Sequence, residues 1–334
     1  VKSITASITV VKSQHVLTSL SHFTQLRKRV ILFLLCLLLS TCTSAAEPYV
    51  IKIGLVAPFE GAYRATGYDA IYAARLAIRE INATSLQDGW ALELVAYDDR
   101  SENDLAISTA RNLVIDPDVL AVIGHYASGT THAAGPIYAE AGIPFLIIGE
   151  GPSGPTNWHT FPPTSSMVEE FLGILALPAE SAVVWGEGDL ADEFKQQLSS
   201  LGMQVHIIEP QQLGNSSPYI FSTLFPLETA EYLRIWSEQG WQGQLYSTAS
   251  LHTDSFARMS GHWRDRACFL TPYPLPDDIA GLEQWSEAYA HTGPHVPEPG
   301  PYALPTYELV YTVAKAIEGI YTKGNVIDRH QLNQ

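Results

Sequence analysis

Cysteine is scarce: three among 334 residues, two of which, Cys36 and Cys42, sit in an apolar stretch near the start. Cys268 is then alone in the body of the chain, so no intramolecular disulfide is expected there and packing has to hold the core. It stands in Ala-Cys-Phe-Leu, an apolar strand-like run, and is expected to be a buried core thiol. Nucleotide signatures are missing as well. No Gly-x-Gly-x-x-Gly follows the first strand-like segment and there is no Walker A lysine, which removes the usual grounds for dinucleotide or ATP chemistry. The Gly-x-Ser-x-Gly elbow of a hydrolase is absent too. His125 and His132 have no His, Cys or Asp partner at ligand spacing, so no metal site is expected. No cofactor is implied.

Basic residues are few. Lys and Arg number 19 against 35 Asp and Glu, for a net charge of −16. Five of the basic residues (Lys2, Lys12, Arg27, Lys28, Arg29) fall within the first 46 residues, which carry no acid, so the body holds fourteen against thirty-five, or −21. Such a surface repels phosphates and speaks against nucleic acid as a partner. It also keeps a soluble protein dispersed.

Long apolar runs are short. The longest unbroken one, Val30 to Leu39, has ten residues, where a spanning helix needs roughly 20. Behind Arg27-Lys28-Arg29 it reads as an export signal. Two processing sites compete. Ser44-Ala45-Ala46 suits ordinary signal peptidase, whereas Leu39-Ser40-Thr41-Cys42 resembles a lipobox that would anchor the chain through a lipidated Cys42. Residues 1–46 are therefore set aside as signal and upstream extension, and the mature protein is expected to be periplasmic or extracellular.

What the body does have is alternation. Strand-like runs at Ile51–Val56, Leu92–Tyr97, Leu120–Gly124 and Phe145–Ile148 are separated by helical patterns over Thr66–Asn82, Leu105–Ile115 and Thr130–Ala141. After a Gly/Pro/Ser/Thr-rich loop at 149–164 the pattern restarts. Strands are expected at Ala182–Trp185, Gln204–Ile208, Tyr219–Leu224, Gln244–Tyr246 and Ala267–Leu270, with helices at Met167–Leu175, Leu190–Leu201, Glu228–Gln239, Ile279–His291 and Tyr302–Tyr321. Short βα connections imply parallel sheets covered on both faces. The fold class is α/β, with two Rossmann-like lobes joined by a hinge: lobe 1 over 47–160, lobe 2 over 161–296, and a crossover with a long helix returning to lobe 1 over 297–334. In such sheets ligands bind beyond the carboxyl ends of the strands, near the switch in strand order.

The words that follow one another along the chain are specific as a set. They are Ile53-Gly54-Leu55-Val56-Ala57-Pro58 with Gly61, and Gly67-Tyr68-Asp69-Ala70 leading into Ala77-Ile78-Arg79-Glu80-Ile81-Asn82. Tyr97-Asp98-Asp99, Val122-Ile123-Gly124-His125, Ser128-Gly129-Thr130-Thr131, Pro136-Ile137-Tyr138 and Ala141-Gly142-Ile143-Pro144 complete them. In these the chain resembles the type I periplasmic binding proteins of the leucine/isoleucine/valine-binding branch, over about 50–325 and most strongly over 51–149. The resemblance implies a non-enzymatic, monomeric binder that closes on a small polar solute and presents it to the membrane permease of an ABC transporter. A ligand-binding sensor of the same fold is the alternative.

The resemblance also nominates residues. In the family the turn matching Ser128, Gly129, Thr130 and Thr131 holds the ligand's carboxylate, which suits hydroxyls and free N–H groups at a helix N-terminus. Tyr126 lies beside this turn. After the fourth strand Glu150 and Gly151 replace the family's usual small-residue loop, and Glu150 can accept hydrogen bonds from a cation or an amide. In lobe 2, Glu187, Phe225 and Thr248 occupy loops that follow strands, but Ser247-Thr248-Ala249-Ser250 lacks the acid with which family members pair the ligand's ammonium. An amino acid is thus not the sole expectation; an amide, a urea-like compound, a small acid or an aromatic stays open. Lobe 2 looks abridged between Ile208 and Tyr219, and the sequence reaches Gln334 before the closing strands that the resemblance implies, as a fragment or a divergent member would.

Overall fold

A computed structural model of the chain describes residues 47–334 except 161, 163, 176, 179, 180, 187, 207–216, 272, 274–278 and 322–325. The export signal with Cys42, the site candidate Glu187 and most of the abridged stretch lie outside the described residues.

In lobe 1 the order is β1 (Tyr49–Ala57), α1 (Arg64–Asp88), β2 (Trp90–Asp98), α2 (Asn103–Ile115), β3 (Val119–Gly124), α3 (Ser128–Glu140), β4 (Phe145–Ile147) and β5 (Asn157–His159). The strands form one sheet in the order β2-β1-β3-β4-β5, and every pair is parallel. Central strands of such a sheet are covered on both sides, which explains their near-continuous apolar runs. All six residues of β3 are buried. Ile51, Ile53 and Leu55 of β1 are fully buried, each contributing about 1.5–3 kcal/mol on transfer from water.

Lobe 2 repeats the plan. It comprises α4 (Thr164–Leu175), β6 (Ser181–Trp185), α5 (Asp189–Ser200), β7 (Gln204–His206), β8 (Tyr219–Ser222), α6 (Pro226–Glu238) and β9 (Gln244–Thr248). A 3-10 turn (Ala249–Leu251), α7 (Asp254–Ser260), a second 3-10 turn (Gly261–Arg266) and β10 (Ala267–Leu270) follow. Its parallel sheet runs β7-β6-β8-β9-β10, the same order as lobe 1 when each strand is matched in turn. The switch in strand order therefore falls between β1 and β3 in one lobe and between β6 and β8 in the other.

The chain then passes through α8 (Glu283–Ala290), α9 (Ala303–Ile320) and α10 (Arg329–Leu332). Trp285 and Tyr289 of α8 pack with Ala73 and Leu76 of α1. The lobe boundary expected at 296 therefore falls earlier: the chain is back on the first lobe by Glu283, because the apolar face of α8 is matched by α1. Leu309, Val310, Val313, Ala314 and Ile317 of α9 join the core over β1 and α1. Glu80 of α1 accepts hydrogen bonds from the hydroxyls of Tyr307 (2.5 Å) and Tyr311 (3.0 Å). Arg329 ties α10 to the ends of α2 and β3 through the carbonyls of Val114, Asp116 and Val119.

One local expectation needs correction. Cys268 is exposed rather than buried, since β10 is an edge strand and this position faces outward, where Gln244 donates to its sulfur at 3.4 Å. Trp185, at the end of β6, is a core residue: it is 2% exposed, with its ring 3.7 Å from that of Trp236. No helix among the described residues is long and apolar enough to cross a membrane.

Candidate ligand-binding cleft

The loops at the two switch points meet across the lobes. Tyr63, in the loop after β1, has its ring 4.7 Å from that of Phe225, in the loop after β8. Ser128, the first residue of α3, donates its hydroxyl to Asp189 at 3.4 Å, and Asp189 is the first residue of α5 behind β6. Glycines shape both loops. Gly124 ends β3 with φ 129° and Gly186 follows β6 with φ 103°. A Cβ at Gly124 would lie 2.1 Å from the Val56 carbonyl oxygen, and one at Gly186 would lie 2.0 Å from Thr223 Oγ1. Only glycine lets the two neighbouring strands come that close at the turn.

The start of α3 is open as an anion site. Its N-cap is Ala127, which has no side chain to cap with, so neither Ser128 nor Thr130 acts as the cap. The first N–H groups of a helix lack intrahelical acceptors and carry its positive dipole end. The three hydroxyls expected here divide. Ser128 is on the exposed side and faces lobe 2. Thr130 is buried and donates to the Ala127 carbonyl at 2.9 Å; Thr131 is buried and donates to those of His125 and Ala127 at 2.8 Å. These two hold the turn, which leaves Ser128 and the backbone to face a ligand. Gly129 packs tightly on Asn103, whose Oδ1 a Cβ would meet at 3.0 Å.

Beneath the turn lies a buried group that the sequence reading missed. His125 donates from Nδ1 to Asp99 at 2.7 Å, and its Nε2 lies 3.1 Å from the Tyr138 hydroxyl. The His125 and Asp99 side chains are 0% and 1% exposed. His125 was read as lacking an acidic partner, but 26 residues separate the pair and no spacing rule reveals it. Asp99 also accepts the Ser101 N–H at 2.9 Å, while Asp98 accepts those of Phe59 (2.8 Å) and Arg100 (2.9 Å). The loops after β1, β2 and β3 are thus pinned together under the cleft. Burial and the Asp99 charge both raise the Tyr138 hydroxyl's pKa well above its ordinary value, so Tyr138 stays neutral.

The remaining candidates are spread out. The Tyr126 hydroxyl lies 2.7 Å from that of Thr306 and its ring packs edge-on to Tyr302, which ties the β3 loop to α9. Glu150 accepts from the Thr164 hydroxyl at 3.1 Å, so its carboxylate is engaged at the start of α4. Gly151 touches α3: a Cβ there would meet Thr131 at 2.4 Å. Phe225 is 43% exposed at the cleft face. Thr248 caps the following 3-10 turn by accepting from Ser250 N–H. Asp189 follows the turn after β6, where a residue behind a lobe 2 strand is expected at the cleft mouth, and it is the lobe 2 carboxylate that the structure brings to Ser128.

The fold has counterparts among known proteins. The family described as periplasmic binding protein matches residues 50–176. An amino acid binding protein of Pseudomonas aeruginosa is 26% identical over 302 residues, covering 80% of this chain and 78% of that protein. A Leu/Ile/Val-binding protein homolog 1 of Brucella abortus is 27% identical over 289 residues, 75% of each. Residues 50–176 belong to the periplasmic binding protein family, and both lobes have its type I fold. The fold match includes a branched-chain amino acid transporter substrate-binding protein of Streptococcus pneumoniae, solved with isoleucine. It is 19% identical, with a TM-score of 0.71 and coverage of 85% of this chain and 86% of that one. The matched family is made up of solute-binding proteins, not enzymes. This chain's kin are periplasmic, in keeping with the export expected from Arg27 to Leu39.

Proposed function

We propose that this protein is the extracytoplasmic solute-binding component of an ABC importer, and that its solute carries an α-amino-acid head. The observation that carries the reading is the Ser128–Asp189 juxtaposition: an uncapped helix start from lobe 1 opposite a carboxylate from lobe 2. A zwitterion satisfies both at once. Its carboxylate rests on Ser128 and the N–H groups of Ser128, Gly129 and Thr130; its ammonium pairs with Asp189. Asp189 then takes the place of the acid missing from 247–250. Tyr63 and Phe225 offer an apolar wall for the side chain. The solute drives closure through the contacts it makes to both lobes together. The relatives, named as amino-acid binders, favour the importer over a sensor of the same fold.

The test is a thermal-shift and calorimetric screen of the purified protein against amino acids, amides and small carboxylates. Amino acids with apolar side chains are expected to raise Tm in proportion to the logarithm of their concentration. Asp189→Asn is expected to weaken them about 10–100-fold, the loss of one charge-assisted pair. A cooperative melt that no amino acid moves would overturn the reading.

A further inference from the structure

The chain first crosses between the lobes after β5, and each side of that crossing is fastened differently. On the lobe 1 side Thr160 is held to the end of β4: its N–H and its hydroxyl both donate to the Ile147 carbonyl, at 3.2 and 3.0 Å. The Thr160 carbonyl in turn accepts the Tyr273 hydroxyl at 3.4 Å, so the connection that leaves β10 is tied to the one that leaves β5. Thr164 opens α4 on the far side. Val168, Phe171 and Leu172 of α4 are buried in the lobe 2 core, so Thr164 belongs to lobe 2.

Glu150 belongs to lobe 1. It follows β4, all of whose residues are buried. Its neighbour Gly151 is pressed against lobe 1, where a Cβ would meet Thr131 at 2.4 Å and Ile147 at 3.0 Å. Yet Glu150 Oε2 accepts the Thr164 hydroxyl at 3.1 Å, across 14 residues of chain. The helix it meets has no acid in its own first turn, and a helix start offers free N–H groups and a positive dipole end. A carboxylate from lobe 1 thus supplies what α4 lacks, through a charge-assisted bond. The bond is formed in an arrangement in which the lobes touch, with Tyr63 against Phe225 and Ser128 on Asp189.

We infer that Glu150 is a positioning residue: seated on Thr164 at the start of α4, it fastens the crossing between the lobes in their closed arrangement and does not touch the solute. Its place after β4 made it a candidate ligand residue, but its carboxylate points to the helix of the other lobe. Apparent affinity scales with the fraction of molecules in the binding-competent arrangement. Loss of the bond therefore lowers affinity by one factor for every solute alike.

Distances between spin labels test the fastening with no solute present. One label goes on the exposed Cys268 of lobe 2 and the other on Glu140→Cys at the exposed end of α3, with Cys36 and Cys42 replaced by serine. Glu150→Ala and Thr164→Ala are each expected to broaden the distribution, and Thr164→Ser, which keeps the hydroxyl, to restore it. A distribution that neither alanine variant changes overturns the proposal. Calorimetry with leucine and valine reads the consequence, and this arm rests on the amino-acid reading above. Each single variant is expected to weaken both amino acids by the same factor, about 3–10-fold, and the double variant by no more than either alone. Loss with Glu150→Ala only, or a loss that differs between leucine and valine, places Glu150 on the solute and overturns the proposal. If neither amino acid binds the parent protein, the amino-acid reading fails, and the label distances still decide this one.

Discussion

Replacing Asp99 by alanine is expected to lower the unfolding free energy by about 3–5 kcal/mol, the range for breaking a buried ionic or charge-assisted pair from one side. The cost has three sources. The His125 Nδ1–H loses its acceptor at a site where both partners are essentially unexposed, so water does not replace it. The Ser101 N–H loses its acceptor too. Arg100 and Ser101 hold φ of 50° and 59°, a left-handed conformation that non-glycine residues keep only when their surroundings impose it. Asp99→Asn keeps an oxygen for His125 and is expected to cost less than half as much. Urea denaturation of the three proteins reads the series. If alanine and asparagine cost the same small amount, the pair does not carry the loops, and the account of how the start of α3 is positioned falls. Because β3 and its loop set the direction of α3, ligand affinity should fall with stability in Asp99→Ala.

That pair also marks the limit of what the sequence discloses. The βα alternation was legible because parallel strands are buried on both faces and write continuous apolar runs, as in Val119–Gly124. Element ends were less so. The first helix was expected to stop at Asn82, yet α1 continues to Asp88 and ends at Gly89 in the left-handed region. Asn82 does not end it because its side chain serves the neighbouring strand, donating to the Leu92 carbonyl and accepting the Leu92 N–H. The segment 249–266 went unread as structure, since its polar residues show no apolar period; there the chain forms α7 between two 3-10 turns. In the cleft, the turn at Ser128–Thr131 could be named from its composition and its resemblance to the family. Asp189 could be placed at the cleft mouth from its position behind a lobe 2 strand but not singled out as a ligand residue, because an acid in the first turn of a helix is ordinary for the dipole alone.

Asp69 shows the same gap between a recognisable word and its chemistry, and it should make stability depend on pH. It belongs to Gly67-Tyr68-Asp69-Ala70, but its partners are Gly300 and Tyr302, 231 and 233 residues away. Gly300 is pressed against it: a Cβ there would lie 2.3 Å from Asp69 Oδ2. The titratable groups that face it are the hydroxyls of Tyr126, Tyr289 and Tyr302, all held neutral, and no cation offsets its charge among the described residues. Burial therefore outweighs the two N–H donors, and the carboxyl is pushed up to about 7. In the unfolded chain it titrates near 3.9, about its ordinary value. Between those values the folded state binds the extra proton, so the stability this gives is complete below about pH 4 and is lost as pH rises through about 7. Full ionisation in place amounts to about 4 kcal/mol. Asp69→Asn keeps an oxygen for Gly300 N–H and cannot ionise. Relative to the parent protein it should lose little or gain little at pH 4.5, then gain steadily, by up to about 4 kcal/mol, as the pH passes 8. Urea denaturation of the two proteins at matched pH values isolates the group, since every other titration is common to both. A difference that stays constant across that range would mean that Asp69 ionises as freely folded as unfolded, and that the carboxyl joining α1 to the approach of α9 is not sealed from water.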